Sequence, residues 1–379
     1  MTIFQQQFQE VKDLLQFNDY HKVINRIIDF TLDTEQIDFY KKTISFLDWY
    51  DINAESTELH SRIDSLLQEL YEFLNKKDII EHTTIISISN LVKTYSSNFS
   101  LGPINLEIRS REIIGLVGEN GNGKTTLLRS ICGELQPTEG SIVYQFQYKD
   151  NYDLRTKLVY IPQRSEIWRG SMYENLEFTA SSYGYLPEEN NLVIDLIITR
   201  LGLRKFRSYS WNGLSSGYKM RFELARMLLR KPKILLIDEP LANLDILAQQ
   251  TILDDFRNIA NSPFRPIAIV LSSQQLYEVE KTSDQVVFLK KGSQRNLKSE
   301  ESKEKFFIVE FETDVNFSEL NEILLSIGLL KLEQNGGTII ATFPIEITLF
   351  KLMELFIKEQ IEINYLRNIT HSTRRFFIK

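Results

Sequence analysis

The chain has 379 residues, 42% hydrophobic and 25% charged, with a formal net charge of −7 at pH 7. That length exceeds the roughly 250–300 residues at which a single core stops growing, so two or three domains are expected, and the composition excludes a disordered or membrane-embedded protein. The acidic balance argues against a protein that coats nucleic acid, because neutralising phosphates needs clustered Lys and Arg.

From the N-terminus, MTIFQQQFQEVKDLL lacks the unbroken apolar stretch of a secretory signal. Nowhere do about 18 apolar residues run together, so no transmembrane helix is expected and the location is cytoplasmic unless a partner holds the chain at a membrane. The one cysteine, Cys132, permits neither an internal disulfide nor a zinc spacing, which suits a reducing compartment. Its apolar neighbours predict a small core residue.

Residues 1–82 read as a helical extension. FQEVKDLLQF, YHKVINRIIDFTL, IDFYKKTISFLDWY and STELHSRIDSLLQELYEFLNKK repeat apolar residues every three or four positions, and Gly and Pro are absent up to Glu81. Striped helices must bury their apolar sides against one another, which predicts a bundle. Over 83–292 short β-type runs (TIISISNLV, REIIGLVG, KLVYIPQ, KILLIDEP, PIAIVLSS, QVVFLKKG) alternate with helical stretches, an α/β pattern with a largely parallel sheet. KKGSQRNLKSEESKEK is polar and charged, and 293–305 is expected to be an exposed linker. Residues 306–379 give strand, helix, two strands, helix, strand, the order of a small α+β ferredoxin-like sandwich, with Asn335–Gly337 as the middle hairpin.

Within the α/β segment, Gly118, Glu119, Asn120, Gly121, Asn122, Gly123, Lys124 and Thr125, followed by Thr126, fit GxxxxGK[ST] between a strand-like and a helix-like run. The glycines let backbone N–H groups turn onto phosphate oxygens. Lys124 adds a charge at the β and γ groups, and the Thr125 hydroxyl can ligate Mg²⁺. Further on, Ile234–Ile237 lead into Asp238 and Glu239. A carboxylate at the end of a buried strand can hold Mg²⁺ through water, and the next can orient or deprotonate an attacking water.

The order of the phosphate loop, then Gln163 in VYIPQR, LSSGYKMRFELARMLL from Leu214, LLIDEP, and ANLD ending at Asp245 resembles the nucleotide-binding subunits of ABC transporters. The resemblance covers about Thr83 to Gly292. It implies a P-loop NTPase core of the ABC type, so the expected fold class is α/β with an α-helical N-terminal bundle and a βαββαβ C-terminal domain. It also implies ATP and Mg²⁺ as cofactors, with Thr125, Gln163 and Asp238 at the metal and Glu239 as the catalytic carboxylate. Tyr95 falls where the family stacks an aromatic on adenine, and a structural tyrosine is the rival reading. Ser215, Ser216 and Gly217 match the signature that faces the γ-phosphate of an opposite subunit. With one loop and one signature in the chain, a homodimer or a heterodimer with another ABC ATPase domain is implied. Asp245 matches a residue linking the two sites, and an N-cap role explains it equally.

Two departures stand out. Ser216 and Tyr218 replace the first glycine and the glutamine of the signature. Gln274 stands where the family has its switch histidine, and the four histidines, His21, His60, His82 and His371, lie elsewhere. A glutamine amide can donate a hydrogen bond to a γ-phosphate but cannot carry a proton, so slower hydrolysis is expected.

The resemblance implies separate integral membrane permease subunits as partners, no nucleic acid, and a peripheral position on the inner face of the cell membrane. The loop after Gln163 and the insert Gly170–Leu203 are the candidate partner surface, unless the insert simply packs on the core. The C-terminal sandwich, ending NITHSTRRFFIK, resembles the accessory domain of exporters of drug, polysaccharide or lipid-like cargo, which favours export. The N-terminal bundle has three open readings: regulation, dimerisation or docking. Two other classes remain, a soluble ABC ATPase acting on the ribosome or DNA and an ATP-driven switch with weak hydrolysis.

Overall fold

The computed structural model describes residues 1–370 apart from 97–98, 165–166, 243, 275, 296–305 and 336. Thr2 opens the first helix through a capping box: its hydroxyl accepts the Gln5 N–H while the Gln5 side chain accepts the Thr2 N–H. The helices α1 (Ile3–Gln16), α2 (Tyr20–Thr34), α3 (Ile37–Asn53) and α4 (Leu59–Leu74) follow the apolar stripes. They bury Phe4, Val11, Val23, Ile27, Ile63 and Leu67 in one cluster, which also takes in Phe264 from far along the chain. Phe4 and Phe264 meet edge to face at 5.3 Å.

The chain then runs β1 (Thr84–Ser96), β2 (Phe99–Arg109), β3 (Ile113–Val117), α5 (Lys124–Ile131), β4 (Glu139–Tyr144), α6 (Asn151–Lys157), β5 (Leu158–Ile161), α7 (Met172–Ser182), α8 (Pro187–Arg200) and α9 (Ser216–Leu228). After these come β6 (Ile234–Ile237), α10 (Ile246–Ala260), β7 (Ala268–Ser273), α11 (Leu276–Thr282), β8 (Gln285–Lys290) and β9 (Ser293–Arg295). Among the described residues the central sheet has the order β5-β6-β7-β3-β8-β9, with β3, β5, β6, β7 and β8 paired in parallel. Every residue of β3, β6 and β7 is buried, as a sheet covered on both faces requires, and residues of β1 and β2 share a core cluster with them. Cys132 lies in the core beneath, where burial pushes its thiol up to about 11.

Three expectations change. The TIISISNLV run is not in the parallel sheet; as β1 it is the middle strand of a separate antiparallel sheet, β2-β1-β4. Its neighbour β2 alternates buried and exposed residues towards its end, the mark of a sheet packed on one face. Ser293–Arg295 of the expected linker are a strand because they pair with β8 at the edge of the central sheet, and the Gln294 side-chain amide fastens them further by accepting the Asn105 N–H and donating to the Asn105 carbonyl. The remainder of that linker lies outside the described residues. Finally, the apolar side of the insert is used within the chain: α8 lies against α2 and α3 and buries Val193, Ile194 and Ile197, while Phe178 of α7 stays 76% exposed.

Contacts group Met1–Gln274 with Thr282–Gln294 in one unit and Gln275–Lys281 with Arg295–Lys379 in another. The N-terminal helices therefore share a unit with the α/β core. In the second unit β10 (Phe306–Glu312), α12 (Phe317–Leu325), β11 (Lys331–Asn335), β12 (Thr338–Pro344), α13 (Leu349–Lys358) and β13 (Tyr365–Asn368) form an antiparallel sheet of order β11-β12-β10-β13. This is the βαββαβ arrangement. Asn335 pairs with Thr338 across the expected hairpin, and Phe307, Phe311, Phe343 and Leu352 fill the core. Residues 371–379, most of the NITHSTRRFFIK ending, lie outside the description. Among the described residues no helix is long and apolar enough to cross a membrane.

Leu67 has no exposed surface. Its truncation in Leu67→Ala is expected to cost about 2–5 kcal/mol of stability, measured by urea unfolding followed by circular dichroism.

Candidate functional site

Parallel register builds the site. Ile237 pairs with Leu271 and Val117 with Ser273, so the ends of β6, β7 and β3 lie side by side at the carboxyl edge of the sheet, where open α/β sheets place their ligands. Past β3, Gly118 is required by space, since a Cβ there would sit 2.4 Å from the Leu289 carbonyl oxygen. Gly123 takes the left-handed conformation, φ +97°, and opens α5. The Asn122 side chain accepts the Lys291 N–H at 2.9 Å and ties the loop to the end of β8.

The Lys124 side chain folds back over this loop. It is 5% exposed, donates to the Gly118 carbonyl at 2.6 Å, and places its ammonium 3.2 Å from Glu239 Oε1. That carboxylate oxygen is buried and has no hydrogen-bond partner, so the pair is held by charge alone. Asp238, 4% exposed, is the hub: Oδ2 accepts from Thr125 Oγ1 at 2.6 Å and from the Tyr160 hydroxyl at 3.3 Å, while Oδ1 accepts from Ser272 Oγ at 2.6 Å. Burial and the adjacent Asp238 charge hold the Tyr160 phenol well above its ordinary range, so it stays a donor at neutral pH.

A cleft of about 430 Å³ brings together Tyr95, Glu119, Asn120, Gly121, Gly123, Lys124, Thr125, Thr126, Gln163, Asp238 and Glu239, with Phe99 beside them. Tyr95 is 53% exposed. Gly118 and Asn122 shape the loop without lining the cleft. Gln274 is exposed and is not one of its walls.

Nor are Ser215, Ser216 and Gly217. Ser215 caps α9 by accepting the Tyr218 N–H, and a Cβ on Gly217 would make only ordinary contacts, 3.7 Å from Leu244 and 3.8 Å from Ala248. Tyr218, the departure from the signature, packs on the Phe206 ring at 4.0 Å. Asp245 is the N-cap of α10, accepting the Ala248 N–H at 2.9 Å.

Ser272 and Tyr160 carry the site without having been singled out from the sequence. Both fall in strand-like runs, PIAIVLSS and VYIPQR, but strand order decides that they reach Asp238. Ser272 does a second thing. Glu239 sits in the left-handed region at φ +50°, which costs a non-glycine residue of order 1–2 kcal/mol, and its N–H donates to Ser272 Oγ at 2.9 Å. A separate contact joins the segment after Gln163 to the signature helix: Trp168 Nε1 donates to the buried Glu223 carboxylate, and its ring stacks on Trp211 at 5.1 Å.

The donors around Asp238 fit Mg²⁺. They are hard oxygens, one carboxylate is already bonded to the Thr125 hydroxyl, and Glu239 lines the same cleft. Among the described residues no group of three or more His, Cys, Asp or Glu side chains forms a metal cage. Mg²⁺ needs none, since it is bound through one or two carboxylates together with substrate phosphates.

Residues 101–242 match the family model described as ABC transporter. An uncharacterised ABC transporter ATP-binding protein of Bacillus subtilis, YxlF, is 31% identical over 209 residues, 55% of this chain and 68% of that protein. The zinc import ATP-binding protein ZnuC of Rickettsia bellii is 30% identical over 207 residues, 54% of this chain and 82% of its own length. Among solved structures, cbiO1 of Clostridium perfringens, described as part of the ABC transporter complex cbiONQ, superposes with a TM-score of 0.51 at 25% identity, covering 57% of this chain and 88% of that one.

Ser272→Ala removes the hydroxyl that holds both Asp238 and the strained Glu239. Nucleotide affinity is expected to stay within about threefold, while the rate of phosphate release falls roughly tenfold or more, about the weight of one lost hydrogen bond to a charged group. Separate measurement of nucleotide binding and turnover checks the split.

Proposed function

The chain belongs to the family of ABC transporter ATP-binding proteins, and from that premise we propose that it hydrolyses Mg-ATP as a dimer and drives separate integral membrane permease subunits. One observation carries this reading: the loop lysine, the Thr125 hydroxyl and the Asp238–Glu239 pair converge on one cleft. Mg²⁺, when bound, would neutralise phosphate charge as the transferred group leaves. The chain's own groups do the rest. Lys124 turns from Glu239 to the β and γ oxygens. The Glu239 carboxylate, freed of its partner, accepts the proton of the attacking water as its oxygen bonds phosphorus and the bond to ADP breaks. Gln163 borders the same space.

The signature that completes this chain's cleft comes from a second copy or a related domain. Ser215, Ser216 and Gly217 lie away from this chain's own cleft, and the glycine has no packing duty here. A helix end with a hydroxyl and a Cβ-free residue suits a phosphate brought by a partner. We place the membrane partner on the side of exposed Phe178 and the segment after Gln163, because α2 and α3 occupy the other side of the insert. That places the chain at the inner face of the cell membrane. Export is the direction we favour, resting on the likeness of the βαββαβ unit to exporter accessory domains. An ATP-driven switch with weak hydrolysis is the second reading, favoured by Gln274.

Glu239→Gln is expected to bind ATP, lower phosphate release about 100-fold or more and accumulate a dimer under saturating Mg-ATP. Light scattering with release assays checks this; equal background release in both proteins points to the switch, and a strictly monomeric variant overturns the composite site. Gln274→His is expected to raise turnover severalfold, read by the same assay. Copurification from detergent-solubilised membranes with a spanning protein supports transport, and recovery with ribosomes or DNA factors overturns it.

A further inference from the structure

Asp238 is gripped from both neighbouring strands. The sheet order β5-β6-β7 puts Tyr160 of β5 on one side of β6 and Ser272 of β7 on the other. Their hydroxyls divide the carboxylate between them: Ser272 Oγ donates to Oδ1 at 2.6 Å and the Tyr160 hydroxyl to Oδ2 at 3.3 Å. Neither residue lines the nucleotide cleft. Asp238 does, together with Thr125, whose hydroxyl reaches Oδ2 at 2.6 Å.

A carboxylate pinned at one oxygen can still turn about its Cβ–Cγ bond. Pinned at both from flanking strands, it turns only by breaking a bond. Thr125 cannot supply that restraint, because its hydroxyl is itself a candidate ligand and sits on the cation's side. Lone pairs lead to the same place. Oδ2 has two and receives two hydroxyls, while Oδ1 receives one, so a single acceptor position is left on Asp238. One position is enough for a water carried by a cation. It is too little for a carboxylate gripped directly through both oxygens. Mg²⁺ is small, keeps several of its waters and needs few carboxylate bonds, whereas Ca²⁺ takes six to eight oxygens at longer range and accepts carboxylates through both of theirs. Groups behind a ligand fix its orientation and thereby tune the metal.

We propose that Tyr160 is a positioning residue that makes this cleft select Mg²⁺ over Ca²⁺, by holding Asp238 against direct ligation through both oxygens. The inference rests on the reading of the cleft as a Mg-ATP site. Tyr160→Phe isolates it. The ring packs against the core cluster and is kept, and the bond lost is the longest of the three on Asp238.

The test uses the full chain and a fluorescent, non-hydrolysable ATP analogue, titrated with Mg²⁺ or Ca²⁺ separately after a reference measurement in EDTA. Wild type is expected to hold the analogue more tightly with Mg²⁺ than with Ca²⁺. In Tyr160→Phe that preference is expected to shrink roughly fivefold, the weight of one modest hydrogen bond, while binding in EDTA stays within about threefold of wild type. Both cations meet the same analogue in solution, so that contribution cancels between the two proteins. A defect of packing alone lowers affinity with both cations by one factor and leaves their ratio intact, which overturns the proposal. So does a variant that loses binding in EDTA, since Tyr160 then holds the cleft rather than the carboxylate, and so does a wild type indifferent between the two cations. If neither cation tightens binding to wild type, the Mg-ATP reading itself falls; a wild-type preference carried unchanged into Tyr160→Phe sinks the role of Tyr160 alone.

Discussion

Everything chemical in this molecule is arranged around one carboxylate. Asp238 is buried at the end of an apolar strand, where an ionised group is tolerated only if its oxygens are bonded. Three hydroxyls from three places meet that demand: Thr125 on the helix after the phosphate loop, Tyr160 on β5 and Ser272 on β7. Each of those side chains is fixed by its bond to the acid, and the acid is fixed by them. Glu239 follows one residue later in an unfavourable backbone conformation that the same Ser272 secures. The strain is local and the scaffold around it is rigid, which is how reactive groups are commonly held.

How far could this be read in advance? The phosphate loop, the acidic pair and the family were legible because short motifs with fixed spacing encode local geometry: a turn, a helix start, the end of a buried strand. The βαββαβ order of the last unit was legible for the same reason, in alternating runs parted by turn residues. Contacts between segments distant in sequence were not legible. The antiparallel sheet escaped notice because β2, Phe99–Arg109, carries Gly102 and Pro103 in mid-strand, where they look like a turn, and because its membership depends on pairing with β1. The reach of Ser272 to Asp238 depends on β6 and β7 being neighbours, which no single strand reveals.

The N-terminal helices make the same point from the other side. Their stripes announced helices but not where the shared face would go. In the structure they lean on α8 and on the turn around Ser262–Arg265, with Asp33 receiving both the Ser262 hydroxyl and the Arg265 guanidinium. What looked like an appendage is part of the ATPase unit. The insert's apolar residues, an excess when read alone, are what that contact consumes.

Phe264 belongs by sequence to the catalytic core and by packing to the helices at the other end of the chain. Two stretches more than 200 positions apart therefore share one cluster of rings and one ion pair, and neither can drift independently. A descendant that shed the leading helices would have to recast the turn at 262–265 as well, since it would otherwise carry a bare phenylalanine and an orphaned arginine into water. Length variation at this terminus should be inherited together with the identity of that turn.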